Sequence, residues 1–279
     1  MIYITLSNNE LTLNNFVVKN NTGEINILTF DIEDWFHTHQ NRHQYSGHIW
    51  DRLPAKIVPN TNRILDMLDR HELKATFFIL GWVAKYYPEV VSMIHAKGHE
   101  IGAHSFWHHS PQRLSHADFE KDLKLCLDTI QDITGEKVTA YRAPGFNLNP
   151  KDTRAFEILA AHGIKTDSSV QLVHMPKSIP IILKNRNYEI AEFPLVTTSF
   201  GFPYSGGGYF RVLPLVYVNY LFKQYKYHLL YFHPRDFDPD YPFINLFSFF
   251  RNQLNRFNTD RCMDKLEAVL KQYPTITLF

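Results

Sequence analysis

From residue 25 onward, short uninterrupted apolar runs alternate with longer stretches of helical spacing. Residues 25–30 read as a buried strand, and residues 60–70 as a helix with Ile64, Leu65 and Leu68 on one face. Residues 75–80 form the next apolar run, ended by Gly81. Pro88 opens a short helix at a position where its missing N–H costs nothing, and Gly98 ends it. Residues 99–103 are strand-like. Ser115 caps the clearest helix, in which Phe119, Leu123, Cys126, Leu127, Ile130 and Ile133 keep helical spacing until Gly135. Residues 138–141 predict a strand, Asn149-Pro150 the start of a helix ended by Gly163, and residues 164–166 a strand ending at Asp167. A longer irregular stretch precedes a strand at 228–232, a last helix over about 260–271 and a terminal apolar run at 275–279.

Strand–helix alternation of this kind predicts parallel strands joined by crossover helices. The 279-residue length suits an α/β barrel. His104, Arg142, Asp167 and His233 each fall at or just past the C-terminal end of a predicted strand, the face where such barrels collect their chemistry. The expected organisation is an N-terminal extension, residues 1–24, and one domain over 25–279. No internal repeat, low-complexity tract or linker interrupts it.

Composition narrows the partners. A formal net charge of +1 gives no electrostatic case for nucleic acid. With only Cys126 and Cys262, a disulfide framework is not expected, and Cys126 reads as a buried thiol. The first ten residues lack a basic stretch followed by an apolar one, so no secretory signal is expected, and a soluble cytoplasmic protein is the default. No window approaches the apolar length of about 20 residues that a transmembrane helix needs.

Candidate chemistry gathers at two strand ends. Gly102-Ala103-His104-Ser105-Phe106-Trp107-His108 places two imidazoles four residues apart, which on a helix start would face one point. Thr29-Phe30-Asp31-Ile32-Glu33-Asp34 crowds three carboxylates. Two histidines and a carboxylate suit zinc or a related divalent ion, with a second carboxylate left as a base. Alternation puts Asp31 and Glu33 on one side of the strand, which favours Glu33 over Asp34 as the ligand; the other would be structural.

These segments, followed by Tyr141-Arg142-Ala143-Pro144, the strand-end Asp167 and Tyr231-Phe232-His233-Pro234, resemble the NodB-homology polysaccharide deacetylases, carbohydrate esterase family 4. The likeness covers about residues 25–279 and extends to the bacterial subgroup of exopolysaccharide and O-antigen clusters through Gly206-Gly207-Gly208-Tyr209-Phe210-Arg211. It implies a distorted (β/α) barrel of seven or eight strands and metal-dependent hydrolysis of an N-acetyl group on a sugar. The resemblance makes Asp31 the general base and Arg142 its partner. His104 and His108, with Glu33 or Asp34, become ligands of a divalent metal, zinc by ligand type. His233 becomes the acid that protonates the leaving amine, oriented by Asp167. The usual pattern has two adjacent aspartates, so the carboxylate ligand is where this chain departs. Another linear amide, such as a formamide or ureide, and a catalytically silent sugar-binding protein remain alternatives.

Trp35, Trp107, Tyr209 and Arg211 are candidates for the sugar cleft, the last two on a flexible glycine turn. The aromatic stretch at 241–257 reads as burial against the barrel, with membrane-surface contact as the sharper alternative. The sugar, its carrier and the oligomeric state stay open.

Overall fold

The computed structural model describes residues 3–4, 24–37, 49–174, 179–198, 201–243 and 249–278. Its strands are β1 (Tyr3–Ile4), β2 (Ile25–Ile32), β3 (Thr76–Ile79), β4 (Glu100–Ala103), β5 (Ala140–Tyr141), β6 (Thr166–Asp167), β7 (Gln171–Leu172), β8 (Ile181–Lys184), β9 (Glu189–Glu192), β10 (Leu195–Val196) and β11 (Tyr227–Phe232). Helices are α1 (Ile57–Arg70), α2 (Gly81–Tyr86), α3 (Pro88–Ala96), α4 (His116–Thr134), α5 (Thr153–Ala161), α6 (Gly207–Val212), α7 (Leu215–Gln224), α8 (Phe249–Arg256) and α9 (Cys262–Gln272).

Seven strands run parallel in the order β9-β6-β5-β4-β3-β2-β11, and β8 and β1 add an antiparallel margin beyond β9. The curled sheet, with helices packed on its outside, is an α/β distorted barrel. Parallel strands are covered on both faces, which is why β2 and β3 are almost wholly buried and nearly continuous in apolar residues. Alternation sends Leu28, Phe30 and Ile32 into the large core shared with the helices, while Ile27 joins Phe78, Ala140 and Leu229 in a second cluster. Thr29 and Asp31 share the face of Ile27, so a polar residue chain enters the barrel from β2.

Local signals explain the helices. Ser115 Oγ accepts from Asp118 N, and Gly135 closes α4 in the left-handed region at φ 72°. Asp152 caps α5 through Ala155 N, so that helix begins at Thr153, not at Asn149-Pro150. The stretch expected to be irregular holds β7 to β10, α6 and α7. The glycine run does not form a flexible turn: Gly207 and Gly208 begin α6. A Cβ on Gly206 would lie 2.2 Å from the Tyr231 ring, and one on Gly207 would lie 1.9 Å from Asp236 Oδ2. Close approach, not turn freedom, requires glycine there.

The aromatic stretch also departs from expectation. Phe243, Phe249, Phe250 and Phe257 are exposed, not packed on the barrel. Leu246 and Phe247 lie outside the described residues, as does most of the expected N-terminal extension.

His228, at the start of β11, stacks on Phe222 with centroids 3.9 Å apart and planes 4° apart. Its Nε2 donates to Tyr225 O at 3.0 Å, and Nδ1 accepts the Tyr204 hydroxyl at 2.8 Å. Burial pushes this imidazole down to about 4 from its ordinary 6.5. The unfolded chain therefore binds the extra proton first, and stability present at neutral pH is lost as pH falls between those values. Urea unfolding from about pH 7 to about pH 4.5 should show ~2 kcal/mol less acid loss in His228→Phe than in the parent chain. An equal loss in both would show that His228 is not held neutral.

Candidate functional site

Glu33 leaves the C-terminal end of β2, and His104 follows β4 directly. His104 N donates to Ile79 O at 2.9 Å, extending the ladder, and its Nδ1 lies 2.8 Å from Arg142 O. A carbonyl can only accept, so Nδ1 carries the proton and Nε2 keeps its lone pair. Burial pushes this imidazole down to about 4, which keeps it neutral. His108 does not arrive on a helix. Residues 104–110 form a loop in which Ser105 and His108 take φ of 64° and 56°. Buried Asp122 of α4 fixes that loop by accepting from Phe106 N at 2.9 Å and Trp107 N at 3.1 Å.

The result is a buried cluster in which one ligand atom each from Glu33, His104 and His108 lies within 4.8 Å of the others. His108 Nε2 is 2.5 Å from Glu33 Oε2. Burial alone would raise the Glu33 carboxyl, but His108 and Arg235 more than offset it and hold it well below its ordinary range. Two imidazoles, one with its far nitrogen pinned by a carbonyl, and one carboxylate held ionised fit a divalent metal.

Asp34 does not join them. Its Oδ1 accepts from Trp35 N at 2.7 Å, and its Oδ2 accepts from Lys56 N at 2.6 Å and Ile57 N at 2.9 Å. The carboxylate therefore caps α1 from a distance, satisfying orphan N–H groups at the positive end of that helix. Burial pushes its pKa up to about 6, with the three amides pulling the other way.

Asp31 faces the cleft beside this cluster. Its Oδ1 accepts from Arg142 Nη1 at 2.8 Å. Burial raises its carboxyl, but Arg142 above all, then His104 and His233, bring it below the ordinary value. His233 Nε2 stands 3.2 Å from Glu33 Oε1 and 4.0 Å from Asp31 Oδ2. The partner of His233 is Asp236, not Asp167. Asp236 Oδ2 lies 3.1 Å from His233 Nδ1 and accepts His233 N at 2.9 Å. Asp167 Oδ1 instead accepts the Ser169 hydroxyl at 2.6 Å, and its neighbour in register is Glu192. Burial raises both of these carboxyls, which interact directly.

Two residues were not anticipated. Arg235 Nη1 reaches Glu33 Oε1 at 2.6 Å, and Asp236 orients His233. Their signal was available, because His233-Pro234-Arg235-Asp236 is an N-cap with an acid three residues on. Arg211 is buried; its Nη1 donates to Asn255 O at 2.9 Å and Phe257 O at 2.6 Å, and its Nε stands 3.3 Å from Asp236 Oδ1. It reaches the cleft wall while bracing Asp236. Trp35 is core, donating Nε1 to Pro54 O at 3.1 Å. Trp107 is partly exposed beside Trp50, and Tyr209 is exposed beside Phe202; the described cleft lining includes none of these three. That lining encloses about 340 Å³, with Asp31, Glu33, His104, His108 and His233 among it.

A family model described as Polysaccharide deacetylase matches residues 19–166. The chain belongs to the polysaccharide deacetylase family. Residues 165–278 of this deacetylase-family chain match a second model, a Domain of unknown function (DUF3473), so His233, Arg235 and Asp236 come from the less characterised part. The peptidoglycan-N-acetylmuramic acid deacetylase PdaC of Bacillus subtilis is 38% identical over 89 residues, which are 32% of this chain and 19% of that protein. The chain aligns with only about a fifth to a third of the length of the first curated relatives it matches. A putative polysaccharide deacetylase structure from Mycobacterium smegmatis matches with TM-score 0.60 and 19% identity, covering 94% of this chain and 96% of that one. A CE4 family pseudoenzyme from Bacillus anthracis matches with TM-score 0.53 and 15% identity, over 91% and 63%. Both likenesses show the fold; a pseudoenzyme among them means the side chains must carry any argument for activity.

Asp34→Ala should lower the unfolding free energy by ~2 kcal/mol, since three buried backbone donors lose their acceptor. Urea titration checks this, and an unchanged midpoint would remove Asp34 from the cap.

Proposed function

We propose that this deacetylase-family chain hydrolyses the N-acetyl group of an amino sugar in a bacterial surface polysaccharide, with a divalent metal, zinc by donor type. The observation that carries it is the Asp31–Arg142 pair at 2.8 Å beside the Glu33, His104 and His108 cluster, with His233 Nε2 3.2 Å from Glu33 Oε1. The curated relatives' printed activities toward peptidoglycan favour a second substrate within the same chemistry, so both glycans belong in the assay.

Glu33, His104 and His108 would hold the metal. A metal bound there supplies Lewis acidity, polarising the acetyl carbonyl and acidifying the attacking water. Asp31 takes the proton of that water. Arg142 keeps Asp31 ionised and fixes its direction, so the carboxylate meets the water already in its basic form. His233 delivers a proton from Nε2 to the departing amine, while Asp236 holds Nδ1 and so sets the ring's orientation. The amide C–N bond breaks, and acetate and a free amine leave.

Metal analysis and acetate release test these roles separately. His104→Ala and Glu33→Ala should lose bound metal and turnover together; full metal occupancy in either would overturn the ligand assignment. Asp31→Asn should keep the metal and lose ~10²–10⁴-fold in turnover on N-acetylhexosamine oligomers or muropeptides. A loss below about tenfold would assign the proton to another group.

The partner of His233 has its own test. Asp236→Asn should slow turnover by ~10²-fold with metal retained, and Asp167→Asn by much less. The reverse ranking would return the orienting role to Asp167.

A further inference from the structure

Three helical segments, two of which line the cleft, carry large apolar side chains into solvent. On α8, Phe249, Phe250 and Leu254 are 70%, 78% and 49% exposed, while Asn252 is completely buried. That helix turns Asn252 inward and sends its phenylalanines to water beside the exposed Gln253 and Arg256. On α7, Val216 and Tyr220 are 77% and 54% exposed. On α6, Tyr209 is exposed against Phe202.

These elements are physically joined. Arg211 of α6 donates to Asn255 O at the end of α8 and to Phe257 O just beyond it, and Asn258 Nδ2 donates back to Arg211 O. Only two residues separate α6 from α7. The inner sides of α6 and α8 also border the cleft, through Gly208 and Arg211 of α6 and Asn255 of α8.

Charge is as uneven as hydrophobicity. Residues 193–235 contain no aspartate or glutamate, and neither do residues 241–259. Exposed Lys223, Lys226 and Arg256 lie within these acid-free stretches. Aromatic and aliphatic side chains with cations, on segments that themselves carry no carboxylate, complement a surface that is apolar and anionic together.

We propose that α6, α7 and α8 dock this protein on an anionic lipid bilayer. The phenylalanines, Val216 and Tyr220 enter the interface between headgroups and acyl chains, and the lysines and Arg256 meet lipid phosphates. The cleft mouth then opens at the membrane surface. Joined to the deacetylase reading, on which this last step rests, it makes a membrane-anchored glycan the substrate class.

Flotation of the full chain with vesicles tests the docking without any catalysis. Vesicles of phosphatidylcholine mixed with phosphatidylglycerol should carry the protein, and vesicles of phosphatidylcholine alone should carry much less. Val216→Ser/Phe250→Ser should weaken binding to the mixed vesicles by ~10-fold or more. The same variant should keep the parent's circular dichroism and its metal content. Unchanged vesicle binding in the variant, or equal binding to both lipid compositions, would overturn the proposal. So would concentration-dependent dimerisation with no vesicle binding, which would assign the patch to a second copy. Failure of acetate release with vesicle binding intact would strike only the catalytic reading.

Discussion

A single buried guanidinium holds the proposed reaction centre together. Arg142 is wholly inaccessible, and its donors are taken up by Thr29 Oγ1 and Asp31 Oδ1, each at 2.8 Å, Ser168 Oγ at 2.9 Å and Ser168 O at 3.3 Å. Its planar head lies 4.1 Å from the Phe78 ring centroid and 4.8 Å from that of Phe146. Burying a charge is tolerable only when pairing and hydrogen bonding are this complete. A lysine, with one point charge and no fork, could not bind the polar groups of β2 and the end of β6 together. The main chain of the same residue accepts His104 Nδ1–H. Position 142 thus aims the proposed base through its side chain and one proposed ligand through its carbonyl.

The strand end of β2 shows how neighbouring residues acquire opposite tasks. Asp31 faces the barrel, Glu33 reaches the histidines, and Asp34 turns outward to the first amides of α1. Three carboxylates within four positions would repel one another in water. Here each has its own counter-group: Arg142 for Asp31, His108 and Arg235 for Glu33, and the α1 amides for Asp34. Helix dipole and ion pairing divide a crowded sequence into separate sites.

Legibility in the sequence followed the strength of local signals. β2, β3 and α4 were readable because continuous apolar runs, an N-cap and a terminal glycine agree with their environment. β9 was not, since Glu189-Ile190-Ala191-Glu192 is four residues long with charged ends, and its strand character comes from pairing with β6 and β8. α7 was missed because its apolar residues surround the helix, leaving no face to detect. The left-handed turns at Ser105 and His108 were invisible for another reason: a distant carboxylate, Asp122, holds the loop backbone around them. Among the candidate residues, strand-end position and the family resemblance pointed to His104, His108, Asp31, Arg142 and His233, which the structure gathers around one cleft, but not to the destinations of Asp34 and Asp167, which depend on tertiary partners.

The exchange of Asp167 for Asp236 beside His233 has a structural logic. A carboxylate three residues behind a histidine at a helical turn is placed by local geometry, and its contact survives small movements of the sheet. Asp167 belongs to another strand and is drawn sideways to Glu192 and Ser169. Burial raises both carboxyls of the adjacent Asp167–Glu192 pair, which disfavours two full negative charges side by side. A carboxylate whose ionisation burial opposes is a poorer counter-charge for an imidazole than one held ionised, but a sound filling for a barrel interior next to Arg142. Asp236 is the opposite case: burial opposes its ionisation, yet His233, Arg211 and Arg235 hold its carboxyl far below the ordinary range. A permanently charged acceptor on a short tether is the better orienter, and the fold supplies it from the turn that follows β11, leaving β6 to package the barrel.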